Sequence, residues 1–563
     1  MEIRHKAAGL ASRLSCLALA AALAAGMPGA ALARDDKPVA QEPELGAYLI
    51  GRLAEADNMP TVAASAYRRA LESDPASAEI ARRSYRQAIL AGDMALALRC
   101  VQSLRQQEML PSDAMLLLAI NGLSRKDYAA ALRTADLMVG ADQLSFMVPY
   151  VRSWASVGRG PYDPPVLAMA EPFAAYAMRH LDEQLMWQRL AMGDGAGARE
   201  ALAAVRAKGL GLSTQMREEL ALRFAAAGQV PAALSLLPFG APDAYAAVRN
   251  RIEGGAKLAL PPIQPAAGIA ILLDRLASDL ASGGNALTVL NLLRLAQFAD
   301  PTNSAITLDV SRALLGAGYP ALAYEEAGKL NVTASSWFDA QVIRVAALLR
   351  QQRNDDALAY ANRLNQRPGA GASEQRLLVD TMLQVGQEAQ ATELLGALVT
   401  RPENAADARL RLQYGAALLS ANRWGEAKVQ LEKALELEPA NPSILNYLGY
   451  SLVERREELP RALAMLEKVV KLAPEEAAYI DSLGWAYYQT GQAAKALPLL
   501  ETAVEKAPGQ PDINEHLGDV LWSLGRRFEA RHAWSAAAIF ANDTEKERLA
   551  GKKLVGLEAG KSQ

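Results

Sequence analysis

The feature that most constrains this chain is a spacing. Between Asn441 and Ala541 three Leu-Gly pairs recur, Leu448-Gly449, Leu483-Gly484 and Leu517-Gly518, with the leucines 35 and 34 residues apart. Ala462, Ala496 and Ala530 keep step at 34, and Pro439, Pro474 and Pro508 punctuate the same units. A period of about 34 residues with small residues and prolines at fixed places is the signature of a stacked helix-turn-helix unit. Such a unit buries too little apolar surface alone, so its copies must stack. The expected fold class is all-α, an α-solenoid.

The unit 477–510 shows why these residues sit where they do. Ala477 to Gln489 reads as a first helix, Thr490-Gly491-Gln492 as a turn, and Ala493 to Ala507 as a second helix. Leu483 and Tyr487 are four apart and share a face. Gly484 beside them has no side chain to hold off the partner helix, and Ala496 is expected to meet it. Leu500 and Ala503 extend the packed stripe.

The same landmarks run through most of the chain. Ala63, Ala97 and Ala131 are spaced by 34, and the phase returns at Ala198 and Ala233, then at Ala323, Ala357, Ala391 and Ala427. This predicts a repeat solenoid over 44–260, with a degenerate unit near 146–178 where Gly158-Arg159-Gly160-Pro161 and Asp163-Pro164-Pro165 interrupt the pattern. A Pro-rich break at 261–269 is expected to separate sub-domains. Divergent units should follow over 270–407 and well-formed ones over 408–544, about thirteen in all. Residues 545–563 are polar and read as a capping helix and tail, keeping the end of the stack wet.

The N-terminus reads as an address. Arg4, His5, Lys6 and Arg13 precede an apolar run from Leu14 to Ala25, and Ala31-Leu32-Ala33 has the small-x-small form of a processing site. We expect a signal peptide over 1–33, cut after Ala33, and a flexible leader over 34–43. The mature protein is then periplasmic or secreted, with no membrane-spanning segment after cleavage and peripheral association through a partner.

Composition narrows the chemistry. Hydrophobic residues make up 51% of the 563 residues but aromatics only 6%, so the apolar content is mostly Ala and Leu, which suits close-packed helices. A net charge of −3 gives no basic footprint for nucleic acid. Of two cysteines, Cys16 lies in the expected leader, which leaves Cys100 as a buried small residue. The four histidines are scattered, with no second metal ligand at a recognised spacing, so no metal or cofactor is expected. The segment Val555 to Ser562 ends like a phosphate-binding loop but has Val555 where the first glycine belongs. No G-x-S-x-G or H-E-x-x-H is present, and an enzyme is not expected.

Through Leu448-Gly449, Leu483-Gly484, Tyr487, Ala496, Ala503 and Pro508, the sequence resembles the tetratricopeptide repeat family, most specifically over Asn441 to Ala541. The resemblance implies a right-handed superhelix whose first helices line a concave groove where peptides or partner proteins bind. On those helices the groove face would carry Asn446 and Tyr450, then Asp481, Trp485 and Tyr488, then Glu515, Asp519 and Trp522, an aromatic and acidic surface. A subset of the family holds C-terminal carboxylates with a basic clamp. The corresponding places here are Asn446, Tyr450, Asp481 and Glu515, so the basic residues are missing. The ligand class implied is a neutral, aromatic or basic protein or peptide. The function expected is an exported protein–protein interaction scaffold at the cell envelope, with binding of an envelope polysaccharide or peptidoglycan as the alternative.

Overall fold

A computed structural model describes residues 45–552, apart from 141–143, 167–173, 210, 240–244, 256–257, 259, 284, 333–335, 543–544 and 548. The expected signal peptide and leader, and the tail from 553 onward, lie outside the described residues. Among the described residues the chain is all-α, with 29 helices and no strand. They are numbered here from α1 (Leu45–Ala56) to α29 (Arg527–Phe540).

The repeat unit forms as its residues require. Helix α26 spans Ala477–Gln489 and α27 spans Ala493–Lys506. Between them Gly491 adopts φ +80°, a left-handed conformation that costs glycine little. The Gln492 N–H donates to the Tyr487 carbonyl at 2.8 Å and the Gly491 N–H to Tyr488 at 2.9 Å. This double bond is a Schellman cap, which satisfies orphan carbonyls at the helix end. A Cβ built on Gly484 would lie 2.8 Å from Leu500 and 3.5 Å from the Ala496 carbonyl. The expected close approach is therefore present, made by the Leu500 side chain and the Ala496 backbone.

The alanine landmarks hold along the chain. Ala63, Ala97, Ala131, Ala198, Ala233, Ala323, Ala357, Ala391, Ala427, Ala462, Ala496 and Ala530 are each the fourth residue of their helix, and each is fully buried. A methyl there lets the two helices of a pair approach closely where they cross.

The chain forms two compact units, the first ending at Arg353 and the second starting at Asn354. The division falls within the stretch expected to hold divergent repeats, away from the Pro-rich segment 261–269. There the chain enters helix α14 (Pro265–Leu280), with proline at a first-turn position where its missing N–H is harmless.

In the first unit the helix pair α14 and α15 (Ala286–Ala299) is drawn inside the fold. Helix α14 packs on the first helices α5 (Ser112–Ser124), α7 (Val148–Arg159) and α9 (Leu181–Ala191), and α15 on α3 (Ala78–Ala91) and α5. A Cβ on Gly268 would lie 2.1 Å from the Trp154 indole, so the ring needs that glycine. The fully buried Arg294 donates to Gln297 Oε1 at 2.8 Å, Glu326 Oε2 at 2.7 Å and the Leu90 carbonyl at 2.9 Å. The last bond satisfies a carbonyl in the final turn of α3, where a cation also meets the helix dipole favourably. Burial raises the Glu326 carboxyl, but Arg294 and Lys329 outweigh it and hold the group below its ordinary range. Cys100 lies in the same core, its thiol pushed up to about 11 by burial.

Candidate functional site

Four successive first helices of the second unit line a cleft of about 710 Å³: α22 (Ala408–Ser420), α24 (Pro442–Glu454), α26 and α28 (Pro511–Ser523). Successive first helices each contribute residues to its wall. Asn446, Tyr450 and Glu454 come from α24, Asp481 from α26, Asp512 and His516 from α28. Glu454, Glu476, Asp481 and Asp512 face the cleft against Arg455 and His516, so its field is negative.

Burial and that field act together on Tyr450. Burial first, then Glu454, Asp481, Asp512 and Glu515, push its phenol well above the ordinary value. The hydroxyl therefore stays protonated and can donate to a ligand. Asn446 Oδ1 on the same wall is buried without a hydrogen-bond partner. An unmet buried acceptor costs roughly 1–3 kcal/mol, which a ligand donor would recover.

Asp481 is not displayed to solvent. It is only 6% exposed, and His516 Nδ1 lies 2.9 and 3.0 Å from its two carboxylate oxygens. Burial lowers the His516 pKa, but the Asp481 hydrogen bond and charge, with Asp512 and Asp519, outweigh it and raise the imidazole above its ordinary value. Trp485 stacks on His516 with ring centroids 4.0 Å apart and planes at 18°. Its Nε1 donates to Glu454, and Tyr488 lies 5.1 Å from the indole. Trp485 is thus a half-buried rung that joins α24, α26 and α28, its polar handle satisfied as buried indoles require.

A second patch lies at the end of the stack. Lys552 Nζ sits 2.6 Å from Glu515 Oε1 and 2.8 and 2.7 Å from the two Asp519 oxygens. Trp534 on α29 donates to Asp519 Oδ1 at 2.9 Å, and Trp522 packs 5.5 Å from the Trp534 ring.

Of the eight residues expected on the groove face, Asn446, Tyr450 and Asp481 line the cleft. Trp485 and Tyr488 stand behind its His516. Glu515, Asp519 and Trp522 belong to the terminal patch. Sequence reasoning missed His516, Glu454 and Lys552. The repeat offset does not point to them: at 35 residues Glu454 corresponds to Gln489, and at 34 Asp481 corresponds to Glu515 and His516 to Ser482.

A family model described as tetratricopeptide repeat matches residues 412–477 and 482–545, which hold the helices of the cleft. These two stretches of the second unit match tetratricopeptide repeats. A TPR repeat-containing protein of Pseudomonas aeruginosa is 35% identical to it over 114 residues, spanning 20% of this chain and 19% of that relative. Three solved structures are also similar. The APC/C hetero-tetramer Cut9–Hcn1 matches at 14% identity over 92% of this chain and 97% of its own, with a TM-score of 0.37. MamA of Desulfovibrio magneticus RS-1 matches at 23% over 30% and 92%, with a TM-score of 0.26. YrrB, described as a TPR protein with an unusual peptide-binding site, matches at 19% over 36% and 97%, with a TM-score of 0.28. The cleft and the terminal patch both fall in or directly beside the family-matched segments.

Proposed function

We propose that this protein is an exported, non-catalytic tetratricopeptide-repeat scaffold that holds a partner protein or peptide in the cleft of its second unit. The observation that carries this is the cleft itself, about 710 Å³ and walled by four first helices with a phenol, an unpaired amide oxygen and four carboxylates. A neutral, aromatic or basic ligand fits that wall. Its aromatic or cationic side chain would meet Tyr450 and the rim beside Trp485, the residue types that dominate binding hot spots. Export rests on the charged start, the apolar run to Ala25 and the Ala31-Leu32-Ala33 site.

The test is crosslinking of the intact protein in the envelope fraction. One defined partner should be captured by the native chain and lost by Tyr450→Ala plus Trp485→Ala, a loss of about 2 kcal/mol or more, with helicity unchanged. Retention of that partner by the double variant refutes the cleft. N-terminal sequencing of the mature protein should begin at Arg34, and an intact Met1 in the same fraction refutes export. A saturable response to peptidoglycan fragments, without any captured protein, would replace the protein ligand by a glycan.

A further inference from the structure

The residues after α29 return to the face that the last first helix presents. Asn542 and Glu545 form a reciprocal cap, each side chain accepting the other's backbone N–H at 3.0 and 3.1 Å. This starts a short helical turn that carries Leu549, fully buried against the Trp534 cluster, and Lys552 one turn on. The segment is thus pinned by one apolar side chain and one ammonium. The ammonium enters a prepared box. Glu515 is 8% exposed and Asp519 18%, while the Lys552 side chain is 30% exposed. Trp534 aims the Asp519 carboxylate and lies 5.9 Å from the ammonium, within reach of its ring field. Gly518 makes room for that indole, since a Cβ there would fall 2.4 Å from it.

Two carboxylates this buried require a cation, because removing the partner of a buried charge costs far more than the pair contributes. Only another cation can therefore take the place of Lys552. We propose that the Glu515–Asp519–Trp534 box is a receptor for a lysine side chain of an extended partner peptide, and that Lys552 fills it within the chain until such a partner displaces it. The proposal rests on the reading of the first-helix face as a docking surface. It makes segment 545–552 an intramolecular competitor, which lowers the apparent affinity for a basic ligand by the fraction of time the box is closed.

The probe is an N-acetylated, C-amidated trilysine peptide titrated into the full chain by calorimetry. Lys552→Gln should bind it at least fivefold more tightly than the native protein, and Lys552→Arg should bind it like the native protein. Adding Glu515→Gln to Lys552→Gln should abolish the gain. Amide exchange over 545–552 of the native protein should rise when trilysine saturates it, a readout that needs no variant. Equal affinity of the native protein and Lys552→Gln, no binding to either, or unchanged exchange over 545–552 would each overturn the proposal and leave Lys552 as an end cap. These outcomes are separate from the loss of a partner on Tyr450→Ala plus Trp485→Ala, which tests the cleft alone.

Discussion

In the first unit, α3, α5, α7 and α9 are covered by α14 and α15 of the same chain. In the second, α22, α24, α26 and α28 stand open around a cleft. The cores differ in the same sense. Most buried side chains between Ala64 and Ala347 join into one contiguous cluster, beside small ones at the N-terminal helices, whereas those of the second unit fall into several smaller clusters, each spanning one to three repeats. The same 34-residue plan therefore yields a closed body and an open surface. The period dictates how two helices pair. What lies against the first helices depends on which neighbour can supply a second apolar face. Helix α14 can, because Ala266, Ile269, Ala270, Leu272, Leu273, Leu276 and Ala277 bury it on most sides.

The sharpest way to break this contrast is Arg294→Met. It leaves Glu326 in the core with Lys329 and the Gln297 amide as partners, and removing one member of a buried pair costs about 3–5 kcal/mol. Urea unfolding of the first unit should register that loss, with ligand binding at the cleft unchanged. A cost near zero would mean that α15 is not locked inside. Gly268→Ala is expected to act next, at about 1–3 kcal/mol, because the added methyl overlaps Trp154. The control is Gly425→Ala, at the exposed start of the second helix Trp424–Leu437, where a Cβ meets nothing within 4 Å. That change should be neutral or stabilise by up to about 1 kcal/mol. Equal penalties at both glycines would show that the Trp154 contact is not what Gly268→Ala disturbs.

The smallest effect sharpens the open side. The folded pKa of His516 is raised above its ordinary 6.5. Its contribution to stability is then complete below the unfolded pKa and is lost as pH rises through the folded one. The urea midpoint of the second unit should fall as pH rises above the ordinary imidazole value, followed through the Trp485 ring stacked on the imidazole. Asp481→Asn should flatten that fall. A midpoint that rises with pH would show that the imidazole is buried neutral.

Much of the fold was legible in the sequence. The alanines at the fourth place of twelve second helices, the turn at Gly491 and both helices of the unit 477–510 appear where the spacing put them. What the spacing does not encode is occupancy. Helix α15 carries Val289 in the place that holds alanine elsewhere, yet nothing in a linear period says that its pair lies inside four other repeats. The cleft was half legible for the same reason. Asn446, Tyr450 and Asp481 follow from helical spacing, but Asp481 is masked by His516, a histidine that looked isolated because its partner is one repeat away. Lys552 was outside the reach of periodicity altogether, since it belongs to no repeat.

The ladder of buried alanines has a consequence for how such a chain changes length. In the second unit each rung meets mainly the rungs beside it, so excising or duplicating one block of about 34 residues joins surfaces that already match. Growth there is modular, and the binding face lengthens or shortens by whole steps. The first unit does not have this freedom. Its α14 and α15 are fitted to α3, α5, α7 and α9 at once, so removing any one block shifts the register of every contact downstream. Variation in ligand reach would accumulate at one end of the molecule while the other keeps its length.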